Sequence, residues 1–339
     1  MNTKTKTGSI RFCRFFVVLF FLGPQPSSLI SGAAAFAADY PSRPIRMIIP
    51  YPPGGSTDPT GRAFAAWLSE ALGQPVVVDN RPGAGSTIGH GIGAKATPDG
   101  YTLLLGTSAG LAVSPAFGTR LSYDPVKDFA PIGLGVYAPF LLAIHPSLPT
   151  ANLKEFIALS KAQPTRINFA SPGVGTPNHL GAELLKSMSG FQFVHVPYKG
   201  GGPAIIDMIG GRAQAIFGGV PYVGPHAKAG KLRVIAIGHP TRISTWPDTP
   251  AIAETVPGFT NTTWYGLLGP AGMPEPAINR INAEMKKAVA NADFVRQLDA
   301  IGLLAASSSP AEFQEMIKSE LARWTKVIKQ AGITAEAAQ

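Results

Sequence analysis

The chain has 339 residues, a formal charge of +9 and one cysteine, Cys13. A lone cysteine excludes an internal disulfide and a metal site built from several cysteines. The basic residues are dispersed with no aromatic-interleaved Lys/Arg run, so nothing supports nucleic-acid binding.

The N-terminus reads as a signal peptide over residues 1–37. Lys4, Lys6, Arg11 and Arg14 precede an apolar core at 15–22, and Ala35-Phe36-Ala37 fits the small-x-small rule for cleavage near Ala37. That core is too short to span a bilayer. Cleavage would remove Cys13 and leave 302 residues with a charge of about +5, enough chain for two domains.

Three times an apolar strand runs into a glycine-rich loop and then a proline. The first is 47–51 followed by Gly54-Gly55-Ser56-Thr57-Asp58-Pro59. The second is 167–171 followed by Gly173-Val174-Gly175-Thr176-Pro177. The third is 193–197 followed by Tyr198, Gly200-Gly201-Gly202 and Pro203. Proline is favoured at the first helical position, where its missing N–H is not needed, so helices are expected to start at Pro59, Pro177 and Pro203. Each would aim unpaired N–H groups and a positive dipole end out of the loop, which is an anion site. Asp58 reads as the cap of the first of these helices.

Further strands are expected at 75–78, 101–105 and 232–237. Helices are expected at 59–72, 152–162, 177–188, 203–209, 276–290 and 310–329. The last carries a capping box, Ser309 with Glu312, and Gly332 just past its end. This alternation predicts an α/β fold with mainly parallel sheets. The apolar run 131–145 and the run 263–268 read as two crossings between domains. They divide the chain into domain 1, residues 38–138 plus 263–339, and domain 2, residues 139–262, joined by a hinge. The strand-end loops would then face a shared cleft.

Other motifs are weaker. Gly106-Thr107-Ser108-Ala109-Gly110 matches the G-x-S-x-G nucleophile elbow, so an exported serine esterase using Ser108 is the competing enzyme reading. Pro115 interrupts the helix that should follow, and a ligand-touching loop explains Thr107 and Ser108 better. Gly83-Ala84-Gly85 with Gly89 departs from the G-x-G-x-x-G spacing, and a glycine-lined helix packed on the sheet is preferred to a nucleotide site. No metal or cofactor motif stands out. His179 lies two residues inside the helix begun by Pro177, near the expected anion site. Tyr51, Tyr198 and Trp264 sit at strand ends, where an aromatic can wall a cleft.

Taken in order, several stretches resemble the Bug-type substrate-binding proteins of tripartite tricarboxylate transporters. They are Tyr40-Pro41-Ser42-Arg43-Pro44-Ile45, the Gly54-to-Asp58 loop, Asn80-Arg81-Pro82-Gly83-Ala84-Gly85, Pro98-Asp99-Gly100-Tyr101-Thr102-Leu103, Thr176-Pro177-Asn178-His179, Pro197-Tyr198-Lys199-Gly200, Trp264-Tyr265-Gly266-Leu267-Leu268 and Arg323-Trp324-Thr325-Lys326-Val327. The resemblance implies a two-domain periplasmic-binding-protein fold of type II-like form, with no catalysis and no cofactor. It implies a monomer in the periplasm that captures a small carboxylate and hands it to integral-membrane permease subunits. A role as the ligand-sensing partner of a membrane sensor kinase is the other reading of such a protein. Carried onto this chain, the binding residues would be Tyr51, Gly54, Gly55, Ser56, Thr57, Asp58, Thr107, Ser108, Gly175, Thr176, Asn178, His179 and Tyr198. The chain departs from the family pattern at Gly218-Gly219, where an acidic residue often stands, and at Ser114-Pro115, in place of Asn-Pro.

Overall fold

The computed structural model describes residues 1–2, 40–53 and 57–334. The signal-peptide expectation and Gly54, Gly55 and Ser56 lie outside the described residues. Among the described residues no helix is long and apolar enough to cross a membrane.

One half of the molecule is built on β1 (Ile45–Ile49), β2 (Val76–Asn80) and β3 (Thr102–Thr107), all parallel, with β9 (Thr262–Pro270) antiparallel to β3. In β1, Met47 and Ile49 face one side and Ile48 the other, and all three are fully buried. Burial on both faces is what a parallel strand covered by helices on each side requires. Met47 and Ile49 pack with Phe64 and Leu68 of α1 (Thr57–Leu72), and Ile48 packs with Leu104, Trp264, Phe313 and Ile317.

The other half is built on β5 (Asn168–Ser171), β6 (Val194–Pro197), β7 (Ala215–Gly219) and β8 (Arg233–Ile237). The long strand β4 (Phe129–Ile144) links the halves. Phe129 to Pro139 pair with β9, whereas Phe140 to Ile144 pair with β7, and Leu141 to Ile144 also with β8. The two long apolar runs of the sequence are therefore adjacent antiparallel strands. Their junction is tied by backbone bonds: Gly238 N–H donates to Phe140 O (2.7 Å) and Asn261 N–H donates to Gly238 O (2.7 Å).

The remaining helices are α2 (Thr87–Ala94), α3 (Leu153–Ala162), α4 (Pro177–Ser189), α5 (Gly201–Ile209), α6 (Val220–Lys228), α7 (Glu275–Ala290), α8 (Ala292–Ala300) and α9 (Pro310–Ala331). Three caps read from the sequence are present. The Asn152 side chain accepts from Glu155 N–H, the Thr176 side chain accepts from His179 N–H, and Ser309 with Glu312 closes a capping box. Of the three proline-marked starts, only α4 begins at its proline. The helices α1 and α5 begin at Thr57 and Gly201, two residues upstream of Pro59 and Pro203. The first turn leaves several N–H groups without intrahelical partners, so proline is tolerated anywhere in it and does not locate the first residue. Asp58 accordingly lies inside the first turn of α1 and is not its cap.

The glycines after β2 pack against neighbours as expected. A Cβ on Gly89 would stand 2.6 Å from Pro50 Cβ, and one on Gly93 would stand 3.1 Å from Leu104. After Ser108 the chain forms a π-helical turn, Ala109–Val113, and one α-turn, Ser114–Ala116, rather than the long helix of a nucleophile elbow.

Candidate functional site

The loops after β1 and β3 meet through hydroxyl groups. The Tyr51 hydroxyl bonds to Ser86 and Thr107, and burial pushes its pKa up to about 12. Thr107 N–H donates to His90 Nε2 (3.3 Å), and His90 Nδ1 bonds to Ser86 O (2.8 Å). Both ring nitrogens are thus engaged, and complete burial pulls the His90 pKa down to about 4, which keeps the ring neutral. Ser108 Oγ bonds to Thr263 Oγ1 on β9, and among the described residues no histidine is hydrogen-bonded to it. Asp58 is buried, and its oxygens accept from Arg62 Nε (3.1 Å) and Asn80 Nδ2 (3.0 Å). Thr57 is buried beside it.

In the other half, the loop after β5 is held from beneath. Gly175 N–H donates to His179 Nδ1 (3.1 Å), and Ser171 Oγ pairs with His195 Nε2 (2.7 Å). The Thr176 hydroxyl donates to Gly173 O (2.8 Å) while accepting from His179 N–H. Asn178 Nδ2 donates to Phe217 O (2.6 Å), bracing α4 against β7. The Tyr198 hydroxyl turns away onto α5, donating to Asp207 (2.8 Å), and its pKa rises to about 12 through burial and that carboxylate. Trp264 is 1% exposed and packs edge-on against Phe313, so it belongs to the core and walls no cleft.

Beside the paired β4 and β9, near the point where β4 changes partners, a cavity of about 290 Å³ opens between the halves. Thr263 and Tyr265 of β9 and Ala138, Pro139 and Phe140 of β4 form its floor. Asn178 of α4, Gly201 of α5, and Gly219, Val220 and Pro221 at the start of α6 form one wall. Three helix N-termini therefore meet there; a first turn leaves N–H groups without intrahelical partners, although in α4 the His179 N–H is taken by the Thr176 hydroxyl. Of the residues expected from the sequence, this cavity takes Asn178 directly. Ser108 reaches it through Thr263, and Thr107 lies opposite Tyr265 in the β3–β9 ladder. Gly175, Thr176 and His179 build the α4 start from behind, and Tyr198 supports α5.

The α6 start was missed in the sequence. Yet Ala215-Ile216-Phe217, Gly218-Gly219 and Pro221 repeat the strand–glycine–proline pattern a fourth time. Phe140, Tyr222, Thr263, Tyr265 and Leu303 are not among the residues expected at the site, because only the tertiary fold brings them together.

A two-lobed α/β molecule with a cavity beside the strands that link its lobes has the architecture of a solute-binding protein. The chain matches the family described as tripartite tricarboxylate transporter family receptor, TctC, over residues 61–333, and it belongs to that family of periplasmic solute-binding proteins. It is 37% identical to Protein BugT of Bordetella pertussis over 303 residues, covering 88% of this chain and 93% of BugT. Among solved structures it is similar to Rpa4515 of R. palustris with adipate (33% identity, TM-score 0.75, 87% of this chain and 99% of that one). It is also similar to MatC of Rhodopseudomonas palustris with bound malate (30% identity, TM-score 0.70, 85% and 100%). The family and these neighbours are solute-binding proteins, not enzymes, and the esterase reading of Ser108 falls with them.

Proposed function

We propose that this protein captures a small carboxylate in the cavity between its lobes and delivers it to integral-membrane permease subunits of a tripartite tricarboxylate transporter. The observation that carries the reading is the meeting of the α4, α5 and α6 N-termini on one cavity wall. Main-chain N–H groups at positive helix ends favour a carboxylate without needing a basic side chain. The loop Gly54 to Asp58, with Thr107 and Ser108, serves as the facing jaw. Gly175, Thr176, Asn178 and His179 form the other, and Tyr51 and Tyr198 support one each. The adipate and malate of the two solved neighbours support the ligand class. The change of β4 partners near Pro139 supports domain 1 as 38–138 plus 263–339 and domain 2 as 139–262. A signal peptide cut near Ala37 would release the mature protein to the periplasm.

A thermal-shift screen of the mature protein against mono-, di- and tricarboxylates tests the reading, since a ligand that binds only the folded state raises the melting temperature by mass action. A response to sugars or cations with none to any carboxylate would overturn it. Uptake of the identified ligand should be lost from a strain lacking this chain.

A further inference from the structure

Beyond the signal region, the net positive charge of this chain sits on one half of the molecule. Residues 139–262 carry ten lysines and arginines against five aspartates and glutamates, whereas 38–138 with 263–339 carry fifteen of each. Topology gathers the surplus at one edge. Strands β5, β6 and β7 are parallel, and β7 and β8 both run antiparallel to β4, so β5 to β8 all start at the same edge. Lys161, Lys186 and Lys228 stand in the last turns of α3, α4 and α6. Arg166, Arg212 and Lys231 lie two or three residues before β5, β7 and β8, and Arg233 opens β8. The cleft lies at the other end of these strands. Gln214, just before β7, lines a polar hollow with Gln163, Arg166 and Asn168, whereas Gly219, at the far end of β7, lines the cleft cavity. Strand β7 spans about 17 Å between the two.

The acids of this half are already engaged. Arg212 holds Asp207 (2.8 Å), Lys186 holds Glu183 (3.8 Å), Arg242 holds Glu254 (2.9 Å) with Asp248 nearby, and Glu155 bonds to Asn152 in the α3 cap. Lys161, Arg166, Lys228 and Lys231 are exposed and, among the described residues, make no ion pair. Cations complement the negative dipole ends of helices, which accounts for one lysine in each last turn. The first half is built on the same plan without the surplus. There Arg43 pairs with Asp99 (2.8 Å) ahead of β1 and β3, and Lys95 after α2 is balanced in sign by Glu70 near the end of α1. The basic edge also exposes two large apolar side chains, Met188 at the end of α4 (39%) and Val194 at the start of β6 (41%).

We propose that this edge docks the protein on an anionic phospholipid surface. Lys161, Arg166, Lys228 and Lys231 meet the headgroup phosphates, and Met188 and Val194 dip among them. Clusters of roughly four to eight Lys/Arg are attracted to anionic lipid. Dispersed cations with two isolated apolar side chains lack the apolar centre of a specific protein interface, which favours lipid over an acidic protein face. Because the cleft lies at the opposite end of β7, docking leaves it open to solvent. The attachment is therefore independent of which ligand the cleft takes, and it holds the protein beside the membrane while it loads.

Co-sedimentation of the mature protein with vesicles tests this. Vesicles of phosphatidylcholine with about one third phosphatidylglycerol should bind it at low ionic strength, and pure phosphatidylcholine vesicles should not. Added salt should release it as the charges are screened. The variant with Lys161→Gln, Arg166→Gln, Lys228→Gln and Lys231→Gln should bind at least about a hundredfold more weakly, each charge at the surface being worth about fivefold. A matched variant with Lys95→Gln, Arg120→Gln, Lys127→Gln and Lys286→Gln removes the same charge from the first half and should stay within about fivefold of the parent. All eight positions are exposed, and circular dichroism checks that both variants fold. No binding of the parent to the anionic vesicles, or equal losses in the two folded variants, would overturn the proposal. Binding to poly-L-glutamate with none to anionic vesicles would also overturn it, in favour of an acidic protein partner.

Discussion

The imidazoles of His179 and His195 lie face to face, with ring centroids 3.7 Å apart and planes within 5° of parallel. Each ring holds a different point of the loop that precedes α4. Gly175 N–H donates to His179 Nδ1, so that nitrogen carries no proton. Ser171 Oγ donates to Gly173 O, and therefore accepts from His195 Nε2–H. The stacked pair is thus a structural support for the loop that precedes α4.

Burial first, and then the His179 ring beside it, lower the His195 pKa from 6.5 to about 4, with Glu183 opposing. The folded state therefore refuses a proton that the unfolded chain accepts. The contribution to stability is complete above pH 6.5 and is lost as pH falls toward 4. His90, also lowered to about 4 by burial, acts in the same direction. Thermal unfolding between pH 4 and pH 8 should show a falling melting temperature below about 6.5, the ordinary histidine value. His195→Gln should flatten that fall in part. A variant with the same slope as the parent would show that the pair does not carry it.

Thr176 spends its hydroxyl within the protein, on Gly173 O and His179 N–H. Thr176→Val should therefore cost about 1 kcal/mol of stability through the lost cap, measured by urea unfolding. Carboxylate affinity should fall only modestly, by less than the roughly 1.5–3 kcal/mol of one charge-assisted hydrogen bond. A loss of that full size, with stability unchanged, would mean that the hydroxyl touches the ligand.

Where local chemistry decides, the sequence was readable. Asn152, Thr176 and Ser309 cap the helices that their spacing predicts. The strands after Pro44 and Gly100 emerge from runs rich in isoleucine and leucine. The helix starts at Pro59 and Pro203 were displaced because proline satisfies the first turn at more than one position. The cavity floor was less accessible to sequence reading. Phe140, Thr263 and Tyr265 reach it through adjacent strands more than 120 residues apart in the chain, and no local pattern encodes that meeting. The fourth glycine–proline loop, at Gly218-Gly219 and Pro221, is legible in the sequence as the same local pattern.

Gly181 in α4 reverses the usual rule for helix glycines. Replacing a mid-helix glycine by alanine ordinarily stabilises by about 0.5–1 kcal/mol. Here the new Cβ would stand 1.8 Å from Nδ2 of Asn261, a fully buried side chain whose amide atoms find no hydrogen-bond partner among the described residues. Gly181→Ala should destabilise by about 1–3 kcal/mol through overpacking. Asn261→Ala should recover much of that loss in the double variant, because it clears the clash, and the coupling can be read from a double-mutant cycle. Additive losses would show that the two sites do not meet in solution.

The last helix joins the two halves of the molecule, and this sets a prediction about cooperativity. In α9, Phe313 and Ile317 pack with Ile48, Leu104 and Trp264 of the first half. Two turns further on, Trp324, Val327 and Ile328 pack with Phe156, Leu184 and Phe259 of the second. Arg323 fastens the same stretch by donating to Thr260 O (2.7 Å). Phe313, Ile317, Leu321, Trp324 and Ile328 recur at spacings of three and four along α9, but spacing does not say that the stripe changes partners halfway. Trp324, 2% exposed, should cost about 3–5 kcal/mol when replaced by alanine. Because α9 ties both halves, that loss should appear in one unfolding transition followed by tryptophan fluorescence and by far-UV circular dichroism alike. Two separated transitions, with only the second half destabilised, would show that the halves unfold independently and that α9 does not couple them.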